Sequence, residues 1–142
     1  MGNRAFITHK DAQNGVYLHW NGGLDSVKPL LDYCKLIDPE GGFDASGEGV
    51  ATFANVAENM LGGSVYIDPN YGTMVDDNGT YWIEGWEIVG RETSPYFTEE
   101  QRGHDYQEML NFINESQPEE RQVSKEKLAE LYREHSDWLN DR

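Results

Sequence analysis

Between Leu36 and Gly90 this chain of 142 residues has no lysine and no arginine, yet it carries ten Asp or Glu residues. The flanks differ. Met1–Lys35 has four basic and three acidic residues, and Arg91–Arg142 has seven and thirteen. The formal net charge is −15. Such a field repels nucleic acid and anionic membrane and attracts cationic surfaces. A single cysteine, Cys34, excludes an internal disulfide. No apolar run approaches the roughly 18 residues of a membrane span. The opening MGNRAFITHK lacks the apolar stretch of an export signal. Phe6 stands where a myristoylation signal needs Ser or Thr. These absences lead us to expect a cytoplasmic protein. HExxH, CxxC, GxSxG, GxGxxG and the P-loop pattern are also missing. The expectation is therefore a binding protein rather than an enzyme, with no metal and no cofactor.

What is present points to a folded chain. The length fits one domain, and aromatics at 12% argue against disorder. Arg4–Thr8 and Val16–Trp20 are rich in β-formers, and Asn14-Gly15 between them predicts a hairpin. Alternation puts Tyr17 and His19 on one face, with Val16, Leu18 and Trp20 on the other. Asn21-Gly22-Gly23 ends that strand. Asp25 or Ser26 is expected to cap a helix with Pro29 in its first turn. Val27, Leu30, Leu31 and Cys34 form its apolar stripe. A second helix is predicted over Gly47–Leu61, stopped by Gly62-Gly63. Ser64–Ile67 is a third strand. Thr80–Ile83 and Trp86–Arg91 are two more, linked by Glu84-Gly85. Helical spacing then predicts Glu99–Glu115 and Ser124–Leu139 as helices. The fold class is α+β: an antiparallel sheet of four or five strands on two helices. Residues 1–92 would form this core, and residues 93–142 an attached helical pair, within one acidic domain.

Three constellations invite chemistry. Asp76-Asp77-Asn78-Gly79 hints at a calcium loop. With Gly79 at the sixth place, however, Met74 and Gly85 fall on the first and last ligand positions. The segment reads instead as a solvated turn with Asn78-Gly79 at positive φ. The stretch Tyr17, His19, Asn21, Gly22, Gly23 and Asp25 places a strand end and glycines before a helix start. That arrangement can hold an anion or a small molecule, and His19 with Asp25 could act as base and orienter. Its plain reading is a strand edge and a glycine turn. Third, Glu84 and Glu87 accompany Trp82 and Trp86 on a hairpin. An exposed tryptophan among acids can anchor a basic partner, or both rings can simply pack inside.

Three stretches together carry a family resemblance: GNRAFIT (Gly2–Thr8), GVYLHWNGGLDSV (Gly15–Val27) and DNGTYWIEGWEIVGRE (Asp77–Glu92). They resemble a family of small bacterial and phage-borne proteins with a GNRAVIT-like start, an IYLHWNGG-like segment and a DNG-x-Y…W-x-IVGRE hairpin. The resemblance implies no activity and carries over no catalytic residue. Together with the charge it leads to the expectation of an acidic inhibitor. Such a protein would occupy the nucleic-acid-binding surface of a basic host protein, for example a defence effector met by a phage counter-defence factor of anti-CRISPR or anti-restriction type. The expected partner-binding residues are Asp68, Asp76, Asp77, Glu84, Trp86, Glu87, Glu99 and Glu100. Direct binding to nucleic acid or membrane is not expected. The alternative is the ligand site at Tyr17, His19, Asn21, Gly22, Gly23 and Asp25.

Overall fold

The computed structural model describes residues 3–70, 72, 76–97, 100 and 103–140, with side chains through residue 136. The protein is α+β. Its elements are β1 (Ala5–Thr8), β2 (Asn14–Leu18), α1 (Leu24–Ile37), α2 (Glu48–Leu61), β3 (Val65–Pro69), β4 (Thr80–Glu84), β5 (Glu87–Glu92), α3 (Tyr106–Ser116) and α4 (Lys125–Asn140). A single 3₁₀ turn, Glu119–Arg121, precedes α4.

The five strands lie in the order β3-β2-β1-β4-β5. Three of the pairings are antiparallel. The fourth, between the central strand β1 and β4, is parallel, so the sheet is mixed, mostly antiparallel, where an antiparallel one was expected. Parallel neighbours need a long connection, and β2, α1, α2 and β3 lie between β1 and β4 in the chain. Alternation then sorts the side chains. Ala5, Ile7, Val16, Leu18, Tyr81 and Ile83 enter the core with α1 and α2. Phe6, Tyr17 and Tyr66 pair across three strands on the opposite face.

Helix α1 starts two or three residues earlier than a cap at Asp25 or Ser26 would place it. Its N-cap is Gly23, which has no capping side chain. The orphan N–H of Leu24 donates instead to Glu100 Oε1 at 2.8 Å, a partner 76 residues away. Pro29 thereby falls in the second turn, where it removes one ladder bond. Cys34 is buried in α1, and burial raises its thiol pKa well above the ordinary value. Helix α2 ends on Gly62 at φ 65°, the left-handed conformation that glycine adopts without cost.

The chain after β5 differs more from expectation. Helix α3 begins at Tyr106, not Glu99, because Asp105 caps it by accepting from the Glu108 N–H at 3.1 Å. Met109, Leu110 and Ile113 are buried against α1 and α2. The C-terminal helices therefore complete the core rather than attach to it. Gln117 is buried too. Its Nε2 donates to the carbonyls of Val56 and Ile113, and its Oε1 accepts from Asn59 at 2.9 Å. Leu128 and Leu131 dock α4. The side chains of Trp138 and Leu139, which continue the apolar spacing of Leu128 and Leu131 in the sequence, lie outside the described ones. No helix among the described residues is long and apolar enough to cross a membrane.

Candidate functional site

The parallel β1–β4 pairing explains the acidic turn. Arg4, just before β1, lies beside Asp76-Asp77, just before β4. Arg4 Nε donates to Asp77 Oδ2 at 2.8 Å, and its backbone N–H donates to the same oxygen at 3.0 Å. Asp76 is 4.0 Å from the guanidinium. Positive φ occurs at Asp77 and Gly79, not at Asn78. Asn78 is buried, and its Nδ2 donates to Asn3 Oδ1 at 2.8 Å. The expected solvated turn is thus a clasp that closes one end of the sheet. Gly79 is tied by contact as well as by φ, since a Cβ there would collide with the Glu92 carbonyl.

The Arg4 hydrogen bonds hold the Asp77 carboxyl below the usual carboxylate range. Its stabilising contribution is complete above the unfolded pKa of about 3.9 and is lost as pH falls through the depressed folded value. Asp77→Asn should therefore lower the urea midpoint at neutral pH. The gap to wild type should close on acidification below about pH 3–4. Urea melts across that range check this, and a gap that stays constant with pH would exclude the clasp.

At the same end of the sheet, the glycine segment before α1 has its polar groups engaged. Gly22 N–H donates to the Asn3 carbonyl at 2.8 Å, and the Tyr81 hydroxyl donates to the Gly22 carbonyl at 2.8 Å. Asn21, at φ 60°, reaches the Ser26 hydroxyl. Asp25 accepts from the His104 N–H at 3.0 Å. The α1 N-terminus already holds an anion, the carboxylate of Glu100. That carboxylate is also paired with Arg91, whose guanidinium lies between the rings of Tyr81 (4.4 Å) and Phe97 (4.9 Å). Tyr17 and His19 do come together, with hydroxyl and Nδ1 3.0 Å apart. Both are turned away from Asp25's partners and onto the outer face of the sheet.

The residues expected to meet a partner divide between the two ends of the sheet. Asp76, Asp77 and Glu100 are at the Arg4 end. Asp68 and Glu84 are exposed at the other end, near the β1–β2 hairpin turn. The strands between span about 13–16 Å at 3.3 Å per residue. Glu87 is paired with Lys35 at 3.0 Å. Glu99 lies outside the described residues. Trp86 is corrected. Its ring is 4% exposed, its Nε1 donates to the Asp38 carbonyl at 2.8 Å, and it meets Phe43 edge-on at 5.8 Å. The tight link between β4 and β5 is Gly85-Trp86, with Glu84 opposite Glu87 and a bulge at Trp82/Ile83. Gly85 is bridged to Phe43 by two main-chain hydrogen bonds of 2.6 and 2.9 Å, which brings Trp86 against the Phe43 ring.

Sequence reasoning missed the surface features that stand out. Trp20 was expected beside Val16 and Leu18, but β2 ends at Leu18 and Trp20 is 48% exposed. Tyr66 and Ile67 on the edge strand β3 are each 53% exposed. Tyr66 lies 6.1 Å from Tyr17, and His19 meets Trp20 edge-on at 4.9 Å. Tyr66, Tyr17, His19 and Trp20 thus form a continuous row of rings. The adjacent apolar pair Tyr66-Ile67, followed by Asp68-Pro69, was the available signal. Two apolar neighbours on a strand must face opposite sides, and a proline suits an edge.

Fold and surface together define an acidic α+β domain with an exposed edge strand and an aromatic row beside it. No protein-family profile, curated protein or solved structure matches the chain.

Proposed function

We propose that the protein is an acidic inhibitor that binds a basic, nucleic-acid-binding protein and occupies the surface meant for phosphates. The observation that carries this reading is where the cations are used. Among the described residues the ion pairs draw on Arg4, Lys28, Lys35 and Arg91. Arg4 and Lys35 reach into the cation-free segment from before it, not from Arg91–Arg142. They pair with Asp77 and Glu87, with Asp76 at 4.0 Å from the Arg4 guanidinium, and leave Asp68 and Glu84 exposed at the hairpin end beside Asp11 and Asp44. Lys10 is exposed at that end as well. The resemblance to phage-borne proteins supports a counter-defence setting for such an inhibitor.

Charge of this kind mainly sets the association rate, and it weakens as salt shortens the Debye length to about 8 Å at 0.15 M. The triple variant Asp11→Asn, Asp68→Asn, Glu84→Gln should therefore slow capture of a basic partner several-fold. Its melting temperature should stay near that of wild type, because all three side chains are exposed. Pull-down from a host lysate at low and high salt supplies the partner, and association kinetics across a salt series supply the rate. Capture at the wild-type rate throughout would refute the reading.

A further inference from the structure

The open edge of β3 is more specific than the charge around it. In the β2–β3 ladder the His19 N–H donates to the Ser64 carbonyl at 3.0 Å, and the Asn70 N–H donates to the Gln13 carbonyl at 2.8 Å. Hydrogen-bonded pairs alternate in an antiparallel ladder. The main-chain groups of residues 64, 66, 68 and 70 therefore face β2, while those of Val65, Ile67 and Pro69 face away from the sheet. Val65 and Ile67 each present an N–H and a carbonyl at that edge, and Pro69 presents only a carbonyl. Among the described residues no strand pairs there. Tyr66 stands on the outer face in line with Tyr17, and Ile67 stands on the inner face.

We propose that this edge takes an extended, Lys- or Arg-bearing segment of a partner protein as a sixth strand. This names the partner class for the function proposed above and rests on that reading. Backbone pairing supplies affinity along Val65–Ile67, and alternate side chains supply selectivity. Residues of the added strand on the outer face lie next to Tyr66 and the exposed Asp68. There an aromatic face and a carboxylate both favour a cation. Residues on the inner face extend the apolar contact of Ile67. A second copy of this chain is disfavoured as occupant, because like-charged strands would be paired at −15 per copy.

The test titrates the intact protein with a short blocked peptide of alternating Lys and Val. Matched controls replace Lys by Glu, or N-methylate the Val residues so that they cannot pair. The Lys peptide should bind, and both controls should bind at least roughly tenfold more weakly. Ile67→Pro removes only an outward N–H and leaves the β2 ladder intact. It should weaken the Lys peptide to a similar degree, and Tyr66→Ala should do so partly, with melting temperatures reported for both. The N-methylated peptide keeps the test independent of how either variant folds. Equal binding of the plain and N-methylated Lys peptides would overturn the edge while leaving the charge-based reading standing. Equal binding of the Lys and Glu peptides would overturn the basic partner itself. Self-association of the protein alone, abolished by Ile67→Pro, would assign the edge to a second copy and overturn the proposal.

Discussion

Trp86→Ala should destabilise the protein by about 3–5 kcal/mol, the range for truncating a buried aromatic to alanine. The ring is 4% exposed and packs edge-on against Phe43, which is itself 1% exposed. Phe43 in turn meets Phe53 at 5.8 Å, so a cavity at Trp86 loosens a chain of rings reaching into α2. The indole N–H also satisfies the Asp38 carbonyl just beyond α1. Trp86→Phe should separate the two contributions. It keeps most of the buried area and removes only the indole hydrogen bond, at a cost of about 0.5–1.5 kcal/mol, because the Asp38 carbonyl still accepts from the Gly41 N–H at 3.1 Å. Urea melts of both variants test this. Unchanged stability in Trp86→Ala would mean the ring is not in the core and would restore it as a surface anchor.

Leu110→Ala should cost about 2–5 kcal/mol, although it lies in a segment that sequence alone assigns to an attached helical pair. Leu110 is fully buried among α1 and α2 residues. Polar bonds hold the same junction. The Tyr33 hydroxyl donates to Asn114 Oδ1 at 2.8 Å, and the Tyr106 hydroxyl donates to Asp32 Oδ2 at 2.6 Å. Burial pushes the Tyr33 hydroxyl pKa up to about 12, so this phenol stays a donor throughout the neutral range. Exposed Glu115 on the same helix is the control, and Glu115→Ala should cost less than about 0.5 kcal/mol. Unfolding should remain one transition in every variant, because α3 shares its core with α1 and α2. A separate early transition for the C-terminal helices, or equal losses for Leu110→Ala and Glu115→Ala, would contradict this packing.

Local chemistry determined much of this protein. The two strands of the β1–β2 hairpin, the body of α2 with its glycine stop, and the apolar faces of α3 and α4 follow from periodicity and local residues, although Asn14-Gly15, expected between the strands, lies inside β2 and the turn is residues 9–13. The acidic character and the cation-free middle are properties of composition and need no fold. Tertiary structure decided the rest through partners remote in sequence. The cap of α1 is Glu100, and no local pattern at Gly23 announces a carboxylate from 76 residues away. The turn at Asp76–Gly79 became a clasp because β1 and β4 lie side by side, bringing Arg4 to Asp77. The β4–β5 turn is held to the core by two main-chain hydrogen bonds between Gly85 and Phe43, remote in sequence, and this sets Trp86 against the Phe43 ring. The exposure of β3 came from strand order, which is a global outcome of how helices and strands pack. Periodicity can say that a strand has two faces. Only the assembled sheet says which strand is left at its edge.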